Sequence, residues 1–230
     1  TASTASMLSS PSSAAARAGA GAAGSSRSAS GLSSVRPKAP KWLCGAPSPA
    51  RSDSGAGAVG SAPKPDSGAG AVGHYAVQLA KWGGARVIAT VSSAAKAEQA
   101  RLAGADLVVN YRTDDVVAKA MAFTDGRGVD RVVDVDFGGN IDTTLKLMGM
   151  NSTVAVYATN GNRTPVVPMR ELMEKCIALR ALVLFALPPP LLAAAQADIT
   201  KWLAAAPRIH NVAGQYALSE TAQAHLAVEK

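Results

Sequence analysis

Hydrophobic and polar positions fall into a regular rhythm only after about residue 66. From Val72 the apolar residues Val72, Ala76, Leu79 and Ala80 recur at helical spacing, and Gly83 supplies a stop. The run ARVIATV (Ala85–Val91) is β-branched and of strand length. Helix Ala94–Ala103 follows, closed by Gly104, then strand Asp106–Tyr111, helix Asp114–Thr124 and a turn at Asp125–Gly128. Strand Val129–Asp136, a helix from Asn140 to about Leu147 and strand Ser152–Thr159 continue the alternation. Helix Pro168–Ile177 precedes an apolar strand, Leu179–Leu187, and Pro188–Pro190 open a helix running to about Ala205. His210–Leu218 reads as extended, and Ser219 caps a closing helix. Strands alternating with helices predict an α/β fold with a doubly wound parallel sheet, Rossmann-like, and the nearly continuous apolar strands fit a sheet covered on both faces.

The stretch before this rhythm is different. Thr1 to about Asp66 is rich in Ser, Ala, Gly and Pro, with too little apolar bulk to offset the entropy of ordering. The expected organisation is a disordered tail over 1–66 and a nucleotide-binding domain over 67–230. A short alanine-rich helix near Ser13–Ala23 is the one ordered element expected in the tail. Read from Met7, the tail is Ser- and Arg-rich and free of acids up to residue 52, as organelle transit segments are. The alternative is a linker, or non-coding sequence at the edge of an incomplete gene. Location is therefore cytoplasmic, or mitochondrial or plastid if residues 7–52 act as a transit peptide.

The tail also accounts for the charge. Of the formal +7, Arg17, Arg27, Arg36, Lys38, Lys41 and Arg51 supply nearly all, and the remaining chain is close to neutral. A basic tail on a near-neutral body is not a nucleic-acid-binding domain. Ala178–Ala195 comes nearest to a membrane span, but Pro188–Pro190 cut it. Cys44 and Cys176 form neither a disulfide framework nor a zinc site, and no metal is expected.

Candidate chemistry begins at Ser67–Trp82, SGAGAVGHYAVQLAKW, where a glycine-rich turn runs into a helix. Gly68, Gly70 and Gly73 stand in the G-x-G-x-x-G spacing: for a tight turn, for backbone approach to a pyrophosphate, and for helix–sheet packing. The helix would aim its free N–H groups at the phosphates. A plain tight turn is the alternative, because the same octapeptide, DSGAGAVG, also occurs at Asp53–Gly60, where SAPKPD follows instead of a helix. The strand Ala85–Val91 ends without a carboxylate, and Ser92, Ser93 and Lys96 come next. Hydroxyls, a helix start and an ammonium favour the 2′-phosphate of NADPH over the bare ribose of NADH. Ser93 as a simple helix cap is compatible with that role. His74, His210 and His225 read as structural positions, although His74 could graze a phosphate. Asp134 and Asp136 point the same way from one strand, Asp136 as a ribose or loop-positioning group, and Cys176 reads as a small buried hydrophobe.

AGAVGHYAVQLAKWGGARVIATVSSAAKAEQARLAGADLVVNYRTDD, with GRGVDRVVDVDFGGN after it, resembles the NADPH-dependent quinone oxidoreductases. These are the zinc-free, zeta-crystallin-like branch of the medium-chain dehydrogenase/reductase superfamily. The resemblance covers Ser67–Lys230 and is more specific over its first half. It implies that Gly70, Ala71, Val72 and Gly73 meet the pyrophosphate, that Ser92, Ser93 and Lys96 meet the 2′-phosphate, and that Tyr111 lies beside the adenosine end. Phe137, Gly138, Tyr157, Ala158 and the Leu184–Phe185 segment would approach the ribose and nicotinamide. The implied reaction is hydride transfer from NADPH to a quinone or related carbonyl or enone acceptor, in which geometry and the closed cleft matter more than a dedicated acid or base. Thr1–Asp66 does not resemble that family's upstream catalytic domain, so the chain reads as a truncated oxidoreductase. Its alternatives are a non-catalytic NADPH-binding or dimerisation module and a relic that binds nothing. The residues before the loop, SAPKPD, cannot be a central strand. The segment before the loop therefore supplies no first strand: another segment fills its slot, or the sheet is split. A homodimer through the apolar edge strand Leu179–Leu187 is also expected.

Overall fold

A computed structural model of the chain describes residues 56–59 and 69–229. All of them belong to one compact unit, Arg36–Lys230. The strands are β1 (Ala56–Val59), β2 (Arg86–Val91), β3 (Leu107–Asn110), β4 (Val129–Asp134), β5 (Met148–Val156) and β6 (Ala178–Ala181). The helices are α1 (Ala71–Trp82), α2 (Ala94–Leu102), α3 (Val116–Phe123), α4 (Phe137–Leu147), α5 (Met169–Lys175), α6 (Pro189–Ala205) and α7 (Thr221–Glu229). The sheet has six strands in the order β3-β2-β1-β4-β5-β6, and every pairing is parallel. The doubly wound α/β architecture expected from the alternation is therefore present.

The slot that the sequence appeared to leave empty is filled. Ala56–Val59 lies between β2 and β4, with Ala58 opposite Ile88 on one side and Val132 on the other. This corrects the expectation of a missing first strand and moves the start of the folded region ahead of residue 67. The physical reason is non-local. Without a middle strand, the facing edges of β2 and β4 would bury unpaired backbone groups. AGAV has little strand propensity of its own, so only its neighbours reveal it. The rest of the expected tail, including the helix near Ser13–Ala23, lies outside the described residues.

Two apolar layers sandwich the sheet. One centres on Ile88, Val109, Val129, Val132, Ile141, Leu145 and Val154; the other on Val77, Val87, Ala89, Val91 and Ala100. Each fully buried Val or Ile here contributes about 1.5–3 kcal/mol relative to an exposed position. The buried face of α1 differs from the expected one, since Val72 is exposed whereas Gly73, His74, Val77, Gln78 and Leu79 are buried. Alanines spread around the helix had blurred its apolar face. The helix ends at Trp82 with Gly83 as its cap, and Gly84 beyond it takes the left-handed φ of +85 that turns the chain away. Lys81 then pins α1 to the start of β3 by donating to both oxygens of Asp106 at 2.8 Å, and Asp106 also accepts from the Val87 N–H at 2.6 Å.

The later elements are shorter and barer than expected. The strand foreseen over Leu179–Leu187 covers only Ala178–Ala181, because a 3-10 turn at Leu184–Ala186 lifts the chain off the sheet edge. His210–Leu218 forms no strand. Instead its entry is held by side chains of α1: Gln78 donates to the Ile209 carbonyl at 2.9 Å and accepts from the Ile209 N–H at 3.2 Å. Trp202 of α6 is buried beneath this segment's entry, with the Arg208 guanidinium 4.7 Å from its ring centre.

Candidate nucleotide site

In a parallel sheet all carboxyl ends lie on one side, and ligands bind there where the strand order reverses. In this chain the reversal falls between β1 and β4. The N-terminus of α1 follows β1 on that side. Gly70 is its N-cap in extended conformation with φ −69, and Ala71, Val72 and Gly73 form the first turn. No acidic residue lies in that turn, so the partial positive charge of the helix end is not cancelled locally. Ala71 and Val72 are exposed and Gly73 is buried. Gly68 lies outside the described residues.

The second wall comes from the end of β2. Ser92 is buried, and Ser93 caps α2 by accepting from the Lys96 N–H at 3.4 Å. The cap reading of Ser93 thus holds, and no carboxylate stands in the first turn of α2. Tyr111 follows β3, with its N–H donating to the Val91 carbonyl at 3.1 Å and its ring against the core. Ser92, Ser93, Lys96 and Tyr111 are thereby gathered at the carboxyl ends of β2 and β3.

The third wall joins the ends of β4 and β5. Phe137 is buried and its N–H donates to the Ala158 carbonyl at 3.3 Å; the Gly138 N–H donates to Thr159 Oγ1 at 3.1 Å. Beneath them, the fully buried Asp134 accepts from the Asp136 N–H and Asn140 Nδ2 at 2.9 Å each, and from Thr144 Oγ1 at 3.0 Å. Burial pushes the Asp134 carboxyl above the usual carboxylate range despite these donors. Tyr157 is pushed up to about 12, by burial first and then by the charge of Asp134, so it is a neutral phenol at ordinary pH. Asp136 proves to be the loop-positioning group, accepting from the Gly161 N–H at 2.7 Å. Phe185 stands apart: it is 96% exposed on the turn beyond β6, at the sheet's far edge.

His74 and His210 hold α1 to the segment after α6. His74 is fully buried in α1 and pairs through Nε2 with the Ile209 carbonyl at 2.8 Å. A carbonyl only accepts, so Nε2 carries the proton. His210 Nδ1 pairs with the Tyr75 hydroxyl at 2.9 Å. Cys176 is exposed rather than buried, because it occupies the left-handed C-cap of α5 at φ 53. The sequence reading missed Thr159, Asn140 and Thr144. Asn140 and Thr144 carry a readable signal, since polar residues spaced i, i+4 on α4 share its buried face.

The sequence pattern of the zinc-binding dehydrogenase family matches residues 71–196, more than half of the chain. The chain belongs to this family, and within it to the quinone oxidoreductase-like medium-chain dehydrogenases/reductases. It is 45% identical over 62 residues to quinone oxidoreductase 1 of Escherichia coli (strain K12), covering 27% of this chain and 19% of that protein. It is 36% identical over 85 residues to a 2-haloacrylate reductase of a Burkholderia species, covering 37% of this chain and 26% of the other. The crystal structure of Escherichia coli quinone oxidoreductase complexed with NADPH superposes with TM-score 0.62 at 27% identity, over 76% of this chain and 54% of that one. The chain thus spans about half the length of that solved relative.

The residues fit a nicotinamide dinucleotide. Two helix N-termini free of acids, buried and half-buried hydroxyls and exposed first-turn backbone meet where such a ligand would lie. They do not fit the zinc of the family's name. Among the described residues no three His, Cys, Asp or Glu side chains come together to hold a metal ion. Among the same residues, no helix is long and apolar enough to cross a membrane.

Proposed function

We propose that residues 67–230, completed by β1, form the NADPH-binding domain of an oxidoreductase that reduces quinones or related carbonyl or enone acceptors. The observation that carries this reading is the meeting of the α1 N-terminus with the carboxylate-free turn Ser92–Lys96 beside the sheet's switch point. Gly70, Ala71, Val72 and Gly73, with Gly68, would bind the pyrophosphate. Ser92, Ser93 and Lys96 would bind the 2′-phosphate, with Tyr111 at the adenosine end. Phe137, Gly138, Tyr157 and Ala158 would bound the ribose and nicotinamide. A bound dihydronicotinamide supplies the hydride. The chain's own residues orient it and exclude water. Because the chain spans about half of the solved relative's length, quinone turnover by this chain alone is expected to be weak. A cytoplasmic location accords with this reading.

Titrating the full chain and Lys96→Ala with NADPH and NADH tests it. A charge-assisted contact to phosphate predicts an affinity loss of about tenfold or more for NADPH and little change for NADH. Equal losses for the two cofactors would remove the 2′-phosphate assignment.

A second reading, dimerisation through Leu179–Leu187, is favoured by the bare edge of the sheet. Every residue of β6 is exposed, and Val183, Leu184 and Phe185 beyond it are exposed as well. Light scattering at tens of micromolar is expected to give a dimer; a monomer with an intact sheet would count against it.

A further inference from the structure

We propose that the contact between the β4–α4 and β5–α5 loops is a latch that positions the nicotinamide half of the cofactor, with Asp136 as its main fastener and Thr159 as the second. This inference rests on the NADPH reading above. A dinucleotide lying across the switch point places one half over the ends of β2 and β3 and the other over the ends of β4 and β5. Strands are about 4.8 Å apart, so the second half falls on these two loops.

The surface offered there is backbone set by two side chains. Asp136 accepts from the Gly161 N–H at 2.7 Å across 25 residues of chain. Thr159 Oγ1 accepts from the Gly138 N–H at 3.1 Å and donates to the Asn162 carbonyl at 2.7 Å. Around these ties there is no spare volume. A Cβ added at Gly138 would collide with the Asn162 carbonyl oxygen, and one at Gly161 with Asp136 Oδ2. At Gly139 the same atom would be met at 2.6 Å.

A purely structural role explains this arrangement poorly. The sheet beneath is already joined by the β4–β5 ladder, from Arg131 opposite Thr153 to Asp134 opposite Val156. Asp136, by contrast, is 7% exposed and spends its buried carboxylate on a loop N–H outside that ladder. Burying a charge is costly, and here its effect is to fix two loops at the ligand-facing end of the sheet. Asp136 and Thr159 are positioning residues that act through the backbone of Gly138 and Gly161.

The test uses the full chain and calorimetric titration with two ligands: NADPH, and 2′,5′-ADP, which carries the adenosine half alone. Asp136→Ala is expected to weaken NADPH about tenfold and to change 2′,5′-ADP by less than about twofold. Asp136→Asn keeps an acceptor oxygen and should restore NADPH binding to within about threefold of the wild type. Thr159→Val, which keeps the side chain's shape, should show the same ligand selectivity and decides the matter if Asp136→Ala fails to fold. Equal losses for both ligands, or unchanged NADPH affinity in the folded variants, would overturn the latch and leave the NADPH reading standing. Failure of the wild type to bind either ligand would remove both.

Discussion

The octapeptide DSGAGAVG occurs twice, at Asp53–Gly60 and at Asp66–Gly73, and its shared AGAV adopts two different structures. In the first copy, Ala56–Val59 is the middle strand of the sheet. In the second, Ala69 and Gly70 make a turn and Ala71 and Val72 begin α1. Four identical residues therefore carry no decision of their own. After the second copy, HYAVQLAKW supplies helix formers, and its buried Val77 packs on the sheet. After the first, Pro63 and Pro65 deny a helix any continuation, and the facing edges of β2 and β4 supply ladder partners instead. Context beyond the segment, local in one case and distant in the other, sets the outcome.

One substitution made in both copies is the sharpest way to break this comparison. Ala58 and Ala71 are equivalent positions of the repeat. Ala58→Pro puts proline in a central strand, between Ile88 and Val132, and should cost about 3 kcal/mol or more. Ala71→Pro puts it at the first position of α1, where the fixed φ suits a helix start, and should shift stability by less than about 1 kcal/mol. Denaturant melts of the two variants measure the difference, and similar losses would mean that the copies are not differently structured.

A smaller effect sharpens the account of what holds the second copy's helix. Asp106 ties Lys81, at the end of α1, to the backbone of β2. Partial burial raises its pKa, but the Lys81 and Val87 hydrogen bonds and the charges of Lys81 and Arg86 outweigh it, and the net shift is downward. A depressed carboxylate contributes stability above its unfolded pKa of about 3.9, and that contribution is lost as pH falls through the lower folded value. The side chains are 34% exposed, so solvent screening limits the contribution to about 1 kcal/mol at most. Asp106→Asn should flatten this part of the acid limb of the stability curve; an unchanged limb would show that the tie is idle.

The same contrast explains what could be read from the chain. Elements with their own period were legible: α2 was expected over Ala94–Ala103 and spans Ala94–Leu102, and β2 matches to one residue. The middle strand was not, because AGAV has one β-branched residue and its evidence lies in β2 and β4. Helix α4 starts at Phe137, three residues ahead of the expected Asn140, because Gly138 and Gly139 hide a helix that Asp134 anchors from below through Asn140 and Thr144. At the site, the helix starts and hydroxyls followed from spacing. The fastener on Gly161 did not, since a contact across 25 residues leaves no local trace.

The most direct measurement is residue-resolved amide hydrogen exchange of the full chain, read at the strand copy of AGAV and at its neighbours. If Ala56–Val59 is the middle strand, its amides exchange as slowly as those of Val87–Val91, at the level of global unfolding. Exchange at Ala56–Val59 as fast as in an open peptide, with β2 and β4 still protected, would contradict the account and mean that the sheet is split at its centre.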